Sequence, residues 1–251
     1  MVNGFLYSKK YNYMALYSSK CGCSSIRYLF LELHKDELSN NSEQVYDKHI
    51  IKTLFKPEKT FDTSKINKYL VIRNPYLRVV SMFTNKYIGE NNLLKRKFIK
   101  NNINCEGNSF LFFLLALKYI KANGLINKIE YHIAEQTNKL KFPLSNNIQV
   151  IKLENFETEI SYFYFKNFKN SDLFSKYKKI YDSPNNFLHS NKTPKNNFYD
   201  INYDTSKIEF TNILNIPTYK NFYVDPTIKG LVDYIYHDDF VKLGYKKELP
   251  F

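Results

Sequence analysis

Tyr13-Met-Ala-Leu-Tyr-Ser-Ser-Lys-Cys-Gly-Cys-Ser-Ser-Ile26 is the stretch that decides the fold class. Tyr13 to Tyr17 is a short apolar and aromatic run of the kind a buried strand needs. Ser18-Ser-Lys-Cys-Gly22 follows as a turn. Ser24 or Ser25 can cap a helix that runs to about His34, since Ile26, Leu29, Phe30 and Leu33 fall on one helical face. Strand, loop and helix in this order are the opening of a parallel crossover unit.

The same order recurs downstream. Lys68-Tyr-Leu-Val-Ile72 reads as a second strand. Arg73-Asn-Pro75 ends it, because proline removes a ladder donor and restricts the residue before it. Pro75 also suits the first position of a helix, here predicted through Tyr87 with Val79, Val80 and Phe83 facing inward. Asn91 to Gly107 is polar and basic and reads as a loop or ragged helix. Ser109 to Asn123 reads as a mostly buried helix closed by Gly124. Ile148 to Leu153 is a third strand, with a helix starting near Phe156. Asn170 to Asn202, rich in Asn, Ser, Lys and Pro, is the expected exposed loop. Pro226 to Phe240 has helical spacing, with Ile228, Leu231, Val232 and Ile235 apolar. No repeat and no linker stands out, so residues 1–251 read as a single domain. Strands alternating with helices predict a three-layer α/β sandwich with a mainly parallel central sheet. Such sheets bind ligands at the carboxyl ends of their strands.

Composition narrows the partners. The 251 residues carry 37 Lys+Arg against 24 Asp+Glu, a net charge of +13, which favours an anionic ligand: nucleic acid, acidic lipid, sulfated glycan or a phosphorylated cofactor. The 22 Tyr and 21 Phe accompany many Lys, Asn and Ile, a bias of AT-rich codons that carries little functional weight. Three cysteines, Cys21, Cys23 and Cys105, do not make a disulfide framework and point to a reducing compartment. Cys21-Gly-Cys23 could be half of a zinc site, but no second Cys or His pair at short spacing completes it, so no metal is expected. Met1 to Lys20 lacks the apolar segment of a secretory signal. The longest apolar run, Phe110 to Leu117, is far short of the roughly 20 residues that cross a bilayer. The expectation is a soluble, cytoplasmic chain.

Two segments carry chemistry. In Lys20-Cys-Gly-Cys-Ser-Ser-Ile26, Gly22 lets backbone approach a ligand and the helix start offers N–H groups and a positive dipole end. Lys20 adds a charge, and Ser24 and Ser25 add hydroxyls. The segment is not a Walker A loop, because G-x-x-x-x-G-K-[ST] is absent. An ordinary strand-to-helix turn with a surface lysine would read the same. In Arg73-Asn-Pro-Tyr-Leu-Arg-Val-Val-Ser81, Arg73 follows a buried strand, and its guanidinium can grip a phosphate with two parallel hydrogen bonds. Ser81 lies about one turn into the helix and shares a face with Arg78. The alternative is an Arg73–carboxylate pair and a merely packed Ser81. Together the segments suit one ligand with phosphates at two ends.

This pair resembles the two cofactor loops of sulfotransferases that use 3′-phosphoadenosine 5′-phosphosulfate (PAPS), most like the carbohydrate (Golgi-type) branch. There the first loop reads roughly Lys-x-Gly/Ala-Cys/Ser-Ser/Thr-Ser. The second reads Arg-Asp/Asn-Pro-x-x-Arg-x-x-Ser-x-Phe/Tyr, with Asn74 here in place of the commoner Asp. Tyr46-Asp-Lys-His49, Ser109-Phe110 with Phe113, His132-Ile-Ala-Glu-Gln136, Ile148 to Glu154, His189-Ser-Asn191 and Tyr236-His-Asp-Asp-Phe240 with Gly244-Tyr245 resemble further family segments in the same order.

The resemblance implies a P-loop-like sulfotransferase fold and transfer of a sulfuryl group to a carbohydrate hydroxyl, on a glycan or glycolipid, by in-line displacement. By analogy with phosphoryl transfer, positioning and charge stabilisation dominate. Lys20 is the candidate cation for charge on the departing 5′-phosphate oxygen. The loop Cys21, Gly22, Cys23, Ser24 and Ser25 would hold the 5′-phosphate, and Arg73 with Ser81 the 3′-phosphate. His49 is the candidate base, with His132 as runner-up or as an acceptor-binding group beside Gln136. His34 and His237 read as helix-surface residues. Glu154, at the end of a strand, could touch the acceptor; a structural ion pair explains it better. A different class of reading is a non-catalytic module for polyanions, nucleic acid or acidic glycan, supported by the charge and by Lys176 to Tyr181; a solvated helix face explains that run better. A magnesium-dependent P-loop kinase is weaker still without Gly-Lys-[Ser/Thr].

Overall fold

The structure, a computed structural model, describes residues 4–37, 65–88, 92–105, 107–141, 148–183, 206–207, 209–210 and 217–251. The chain divides into two compact units, one made of Met1–Ile72 and Lys139–Asn191, the other of Arg73–Asn138 and Lys192–Phe251.

The first unit holds a four-stranded sheet in the order β1 (Phe5–Ser8), β2 (Tyr13–Tyr17), β3 (Asn67–Ile72), β4 (Ile148–Lys152). β1 is antiparallel to β2, and β2–β3 and β3–β4 are parallel. Tyr17 lies opposite Val71 and Ile72 opposite Lys152, so β2, β3 and β4 end level. The expected α/β class with a mainly parallel sheet is what the structure has. Alternation explains the packing: Tyr13, Ala15, Tyr17, Tyr69 and Val71 enter one core, while Met14, Leu16, Leu70 and Ile72 on the opposite face are buried as well. Burial on both faces is the mark of a parallel sheet and explains why these strands read as unbroken apolar runs.

Three helices complete this core: α1 (Cys23–Leu33), then α5 (Phe156–Phe168) and α6 (Asp172–Tyr181), numbered with those of the second unit below. Helix α6 corrects the expectation of a loop from Asn170. Leu173 and Tyr177, four apart, are buried in the core, and that pair outweighs the polar residues around it. Lys176 to Tyr181 is therefore a helix with a charged outer face. His34 also departs from expectation. It is fully buried, tilted against Phe30 at 4.5 Å, with Nε2 at 3.0 Å from the Tyr13 hydroxyl. His237 is exposed, as expected.

The second unit holds α2 (Pro75–Met82), α3 (Leu93–Lys100), α4 (Phe110–Ala122), α7 (Pro226–Ile235) and α8 (His237–Lys242). Asn74 caps α2 by accepting from the Tyr76 N–H at 2.9 Å, and Pro75 takes the first helical position. The α-helical pattern stops at Met82 rather than at Tyr87. A wider turn follows, closed by the Ile88 N–H on the Phe83 carbonyl at 3.0 Å. Such π-type turns shift the facing of later side chains. The segment around residue 96, expected to be ragged, contains the regular helix α3. Pro226 to Phe240 is two helices broken at Tyr236. The core centres on aromatic contacts, such as Phe83 edge-on to Phe110 at 5.2 Å and Phe110 to Phe222 at 5.1 Å. Among the described residues no helix is long and apolar enough to cross a membrane.

Candidate active site

In the first unit, the loop between β2 and α1 is shaped by two left-handed residues, Lys20 at φ +68° and Gly22 at φ +71°. The Cys21 N–H returns to the Ser18 carbonyl at 3.2 Å, and the Cys23 thiol donates to the same carbonyl at 3.2 Å. Gly22 is the helix N-cap, and the first intrahelical bond runs from Ile26 N–H to Gly22 O at 3.0 Å. Helix geometry gives the N–H groups before Ile26 no intrahelical acceptor. No side chain caps this end and its first turn carries no acidic residue. Gly22 also has a packing reason: a Cβ there would lie 2.7 Å from Leu153 Cδ1.

The fit of this loop to an anion can be tested on one atom. Ser18 Oγ is buried without a hydrogen-bond partner among the described residues. An uncapped helix start and a buried hydroxyl without a partner among the described residues suit a phosphate, and Lys20 stands in the same loop. Ser24 is exposed, Ser25 half-buried, and Cys21 buried with its thiol turned to the Ser19 carbonyl.

In the second unit, Arg73 is held by its backbone. Gln136 accepts the Arg73 N–H at 2.8 Å and donates Nε2 to the Arg73 carbonyl at 2.8 Å. Gln136 is itself fixed by Asp239, which accepts from the Gln136 N–H at 3.0 Å and Nε2 at 3.4 Å. Asp239 also accepts from the Thr137 N–H at 2.9 Å and hydroxyl at 3.2 Å. Burial raises the Asp239 carboxyl above the usual range, against the pull of Arg78 and two backbone N–H groups. The half-buried Arg73 guanidinium lies 5.7 Å from the centre of the Tyr219 ring.

Arg78 and Ser81 are both buried, at 1% and 5% exposure. The face they share turns inward for Arg78, which donates to the carbonyls of His132 at 3.0 Å and Ala134 at 2.7 Å. It also pairs with Asp239 at 3.7 Å. Arg78 is thus a brace between α2, the His132–Gln136 stretch and α8.

His132 is buried, with Nδ1 at 2.9 Å from Glu130 Oε1. Burial pushes the Glu130 carboxyl up, but the hydrogen bonds and charge of His132 outweigh it and hold it below its usual value. A carboxylate on Nδ1 fixes the ring and leaves Nε2 as the nitrogen for other work. His49 and His189 lie outside the described residues. Glu154 is exposed. A groove of about 390 Å³ on α4, lined by Asn102, Phe112, Leu115 and Tyr119 among others, shares no residue with these loops.

Sequence reasoning did not see the Asp239–Gln136–Arg73 chain of hydrogen bonds. The sequence reading sets Gln136 beside His132 as an acceptor-binding group and gives Asp239 only as part of the Tyr236–Phe240 stretch. Local sequence carries no signal for it, since Gln136 stands between Glu135 and Thr137 and Asp239 follows His237 and Asp238.

No curated protein and no solved structure matches the chain. The model of the Sulfotransferase family matches residues 3–246, nearly the whole length and both loops described above, and the chain therefore belongs to the sulfotransferase family.

Proposed function

We propose that this sulfotransferase moves a sulfuryl group from PAPS to a hydroxyl of a carbohydrate acceptor, as a single functional domain over residues 1–251. The observation that carries the reading is the Ser18–Ser25 loop, an uncapped helix start with a left-handed lysine and a buried hydroxyl lacking a partner among the described residues. PAPS, when bound, supplies an activated sulfuryl group on a 5′-phosphate. The chain's own residues do the rest. Backbone N–H groups of Gly22 to Ser25, with the Ser24 and Ser25 hydroxyls, hold the 5′-phosphate. Lys20 neutralises charge that grows on the departing phosphate oxygen. Arg73, set by Gln136, and Ser81 hold the 3′-phosphate. A histidine takes the acceptor proton: His49 by its place in the family-like segment, or His132, whose ring is already oriented by Glu130. The net charge of +13 suits an acidic glycan or glycolipid. Three free thiols suit a reducing cytoplasm.

A transfer assay with radiolabelled PAPS against an arrayed panel of glycans tests the reading. Label should enter at least one saccharide, and Lys20→Ala should lower the rate by a factor on the order of 100. Transfer only to proteins or small alcohols, or an undiminished Lys20→Ala rate, would refute it. In the same assay His49→Ala should keep nucleotide binding and lose turnover. If that variant still turns over and His132→Ala does not, the base is His132.

A further inference from the structure

His132 is held at three points in the second unit. Its Nδ1 meets Glu130 Oε1 at 2.9 Å, its backbone N–H donates to the same oxygen at 3.4 Å, and its carbonyl accepts from Arg78 at 3.0 Å. A turn keeps Glu130 in place, closed by the Ile133 N–H on the Glu130 carbonyl at 3.1 Å. Both side chains are more than nine-tenths buried, where a hydrogen bond to a carboxylate is strong. Burial pushes the Glu130 carboxyl up, yet the His132 hydrogen bonds and charge, aided by Lys97 of α3, keep it below its usual value, so it faces the ring as an anion. An anion on Nδ1 makes that nitrogen the donor and leaves the lone pair of a neutral imidazole on Nε2. Among the described residues Nε2 neither bonds a partner nor is sealed from solvent. One ring nitrogen is locked and the other is open, which is the arrangement of an oriented base. Arg78, which braces His132, also pairs with Asp239, and Asp239 holds the Gln136 amide that fixes the Arg73 backbone. One network thus ties the pair to the proposed 3′-phosphate ligand.

We propose that Glu130 is a positioning residue for sulfuryl transfer: it holds the His132 ring so that Nε2 takes the proton of the acceptor hydroxyl. This rests on the proposed function and, of its two candidate bases, assigns the work to His132. As the hydroxyl oxygen bonds the sulfur, its proton passes to Nε2. The bond from sulfur to the 5′-phosphate oxygen breaks, and that oxygen keeps the electron pair. The imidazolium so formed stands beside the Glu130 carboxylate, which balances its charge. Glu130 touches neither acceptor nor nucleotide in this scheme and acts only through the ring.

The test compares wild type, Glu130→Gln, His132→Ala and the double variant. It measures transfer from radiolabelled PAPS to the glycan panel, and calorimetric titration with 3′-phosphoadenosine 5′-phosphate. Glutamine keeps the size of the side chain and removes its charge. Glu130→Gln should lower kcat at least about tenfold and His132→Ala about 100-fold or more, both with unchanged nucleotide affinity. In the His132→Ala background Glu130→Gln should cost nothing further, because a residue that acts through the ring has no effect once the ring is gone. A structural role would instead add its loss in both backgrounds. Wild-type kcat in Glu130→Gln, an equal loss in both backgrounds, or a fall in nucleotide affinity overturns the role of Glu130. Full turnover in His132→Ala overturns the pair and leaves sulfuryl transfer standing. A wild-type chain that moves no label overturns both.

Discussion

At the scale of single residues, the phosphate loop contains two left-handed positions with opposite demands. Gly22 at φ +71° pays no steric penalty for that conformation. Alanine there would cost about 1–2 kcal/mol in the backbone alone. Its Cβ would also meet Leu153 Cδ1 at 2.7 Å, but that methyl is the far end of a flexible side chain and can turn aside. The backbone cost should therefore dominate, and urea denaturation of Gly22→Ala should show a loss of about 1–2 kcal/mol. Lys20 at φ +68° already bears this strain. A strained residue at a functional loop is kept for what its side chain does. Lys20→Gly should accordingly leave stability unchanged or raise it by up to about 1 kcal/mol, while sulfuryl transfer is lost. A parallel loss of stability and activity would show that the lysine is structural. The lysine and glycine were legible in the sequence as an anion-binding loop. The left-handed lysine was not, because side-chain identity says little about a strained φ outside glycine and asparagine.

At the scale of elements, the segments that read best were those whose local chemistry and burial agree. Tyr13 to Tyr17 and Lys68 to Ile72 are apolar on both faces, and a parallel strand needs that. Ser109 and Gly124 bracket α4 as cap and stop. β1 was missed because its four residues alternate half-buried with buried and have no strong apolar run. Helix α6 was missed because its polar neighbours resemble a loop, and two buried positions are a faint period. The start of α2 is the most informative element boundary. Asn74 caps it while Arg73 next to it carries the proposed ligand contact, so cap and site share one turn. Asn74→Ala should cost about 1 kcal/mol of stability by urea denaturation. Asn74→Asp should retain the cap, since a carboxylate accepts the same Tyr76 N–H and favours the helix dipole. If both variants lose stability equally, the cap is not what Asn74 contributes.

At the scale of the whole molecule, the division into two units was invisible to sequence reading. The chain passes between them at Ile72–Arg73, Asn138–Lys139 and Asn191–Lys192, and the first of these falls immediately before the second recognised segment. A boundary that abuts a functional segment leaves no glycine- or serine-rich linker to betray it. What the two cores share is tyrosine. Tyr17, Tyr69, Tyr164 and Tyr177 lie in one and Tyr76, Tyr87, Tyr223 and Tyr236 in the other. Burial is the leading cause that raises each phenol above its ordinary value, in Tyr17 and Tyr177 to about 12. The sign of the linkage follows. Between the unfolded value near 10 and the folded value, the unfolded chain has lost its phenol protons and the folded chain has kept them, so stability falls as pH rises through that window. Tyr17 alone forfeits on the order of 2 kcal/mol across it, and the other buried phenols act in the same direction. Stability from urea denaturation should thus stay level to about pH 9 and fall between about 10 and 12, with the phenolate absorbance of the buried rings appearing together with unfolding rather than before it. Phenols that all titrate at their ordinary value, with the fold intact, would mean that these rings are open to water.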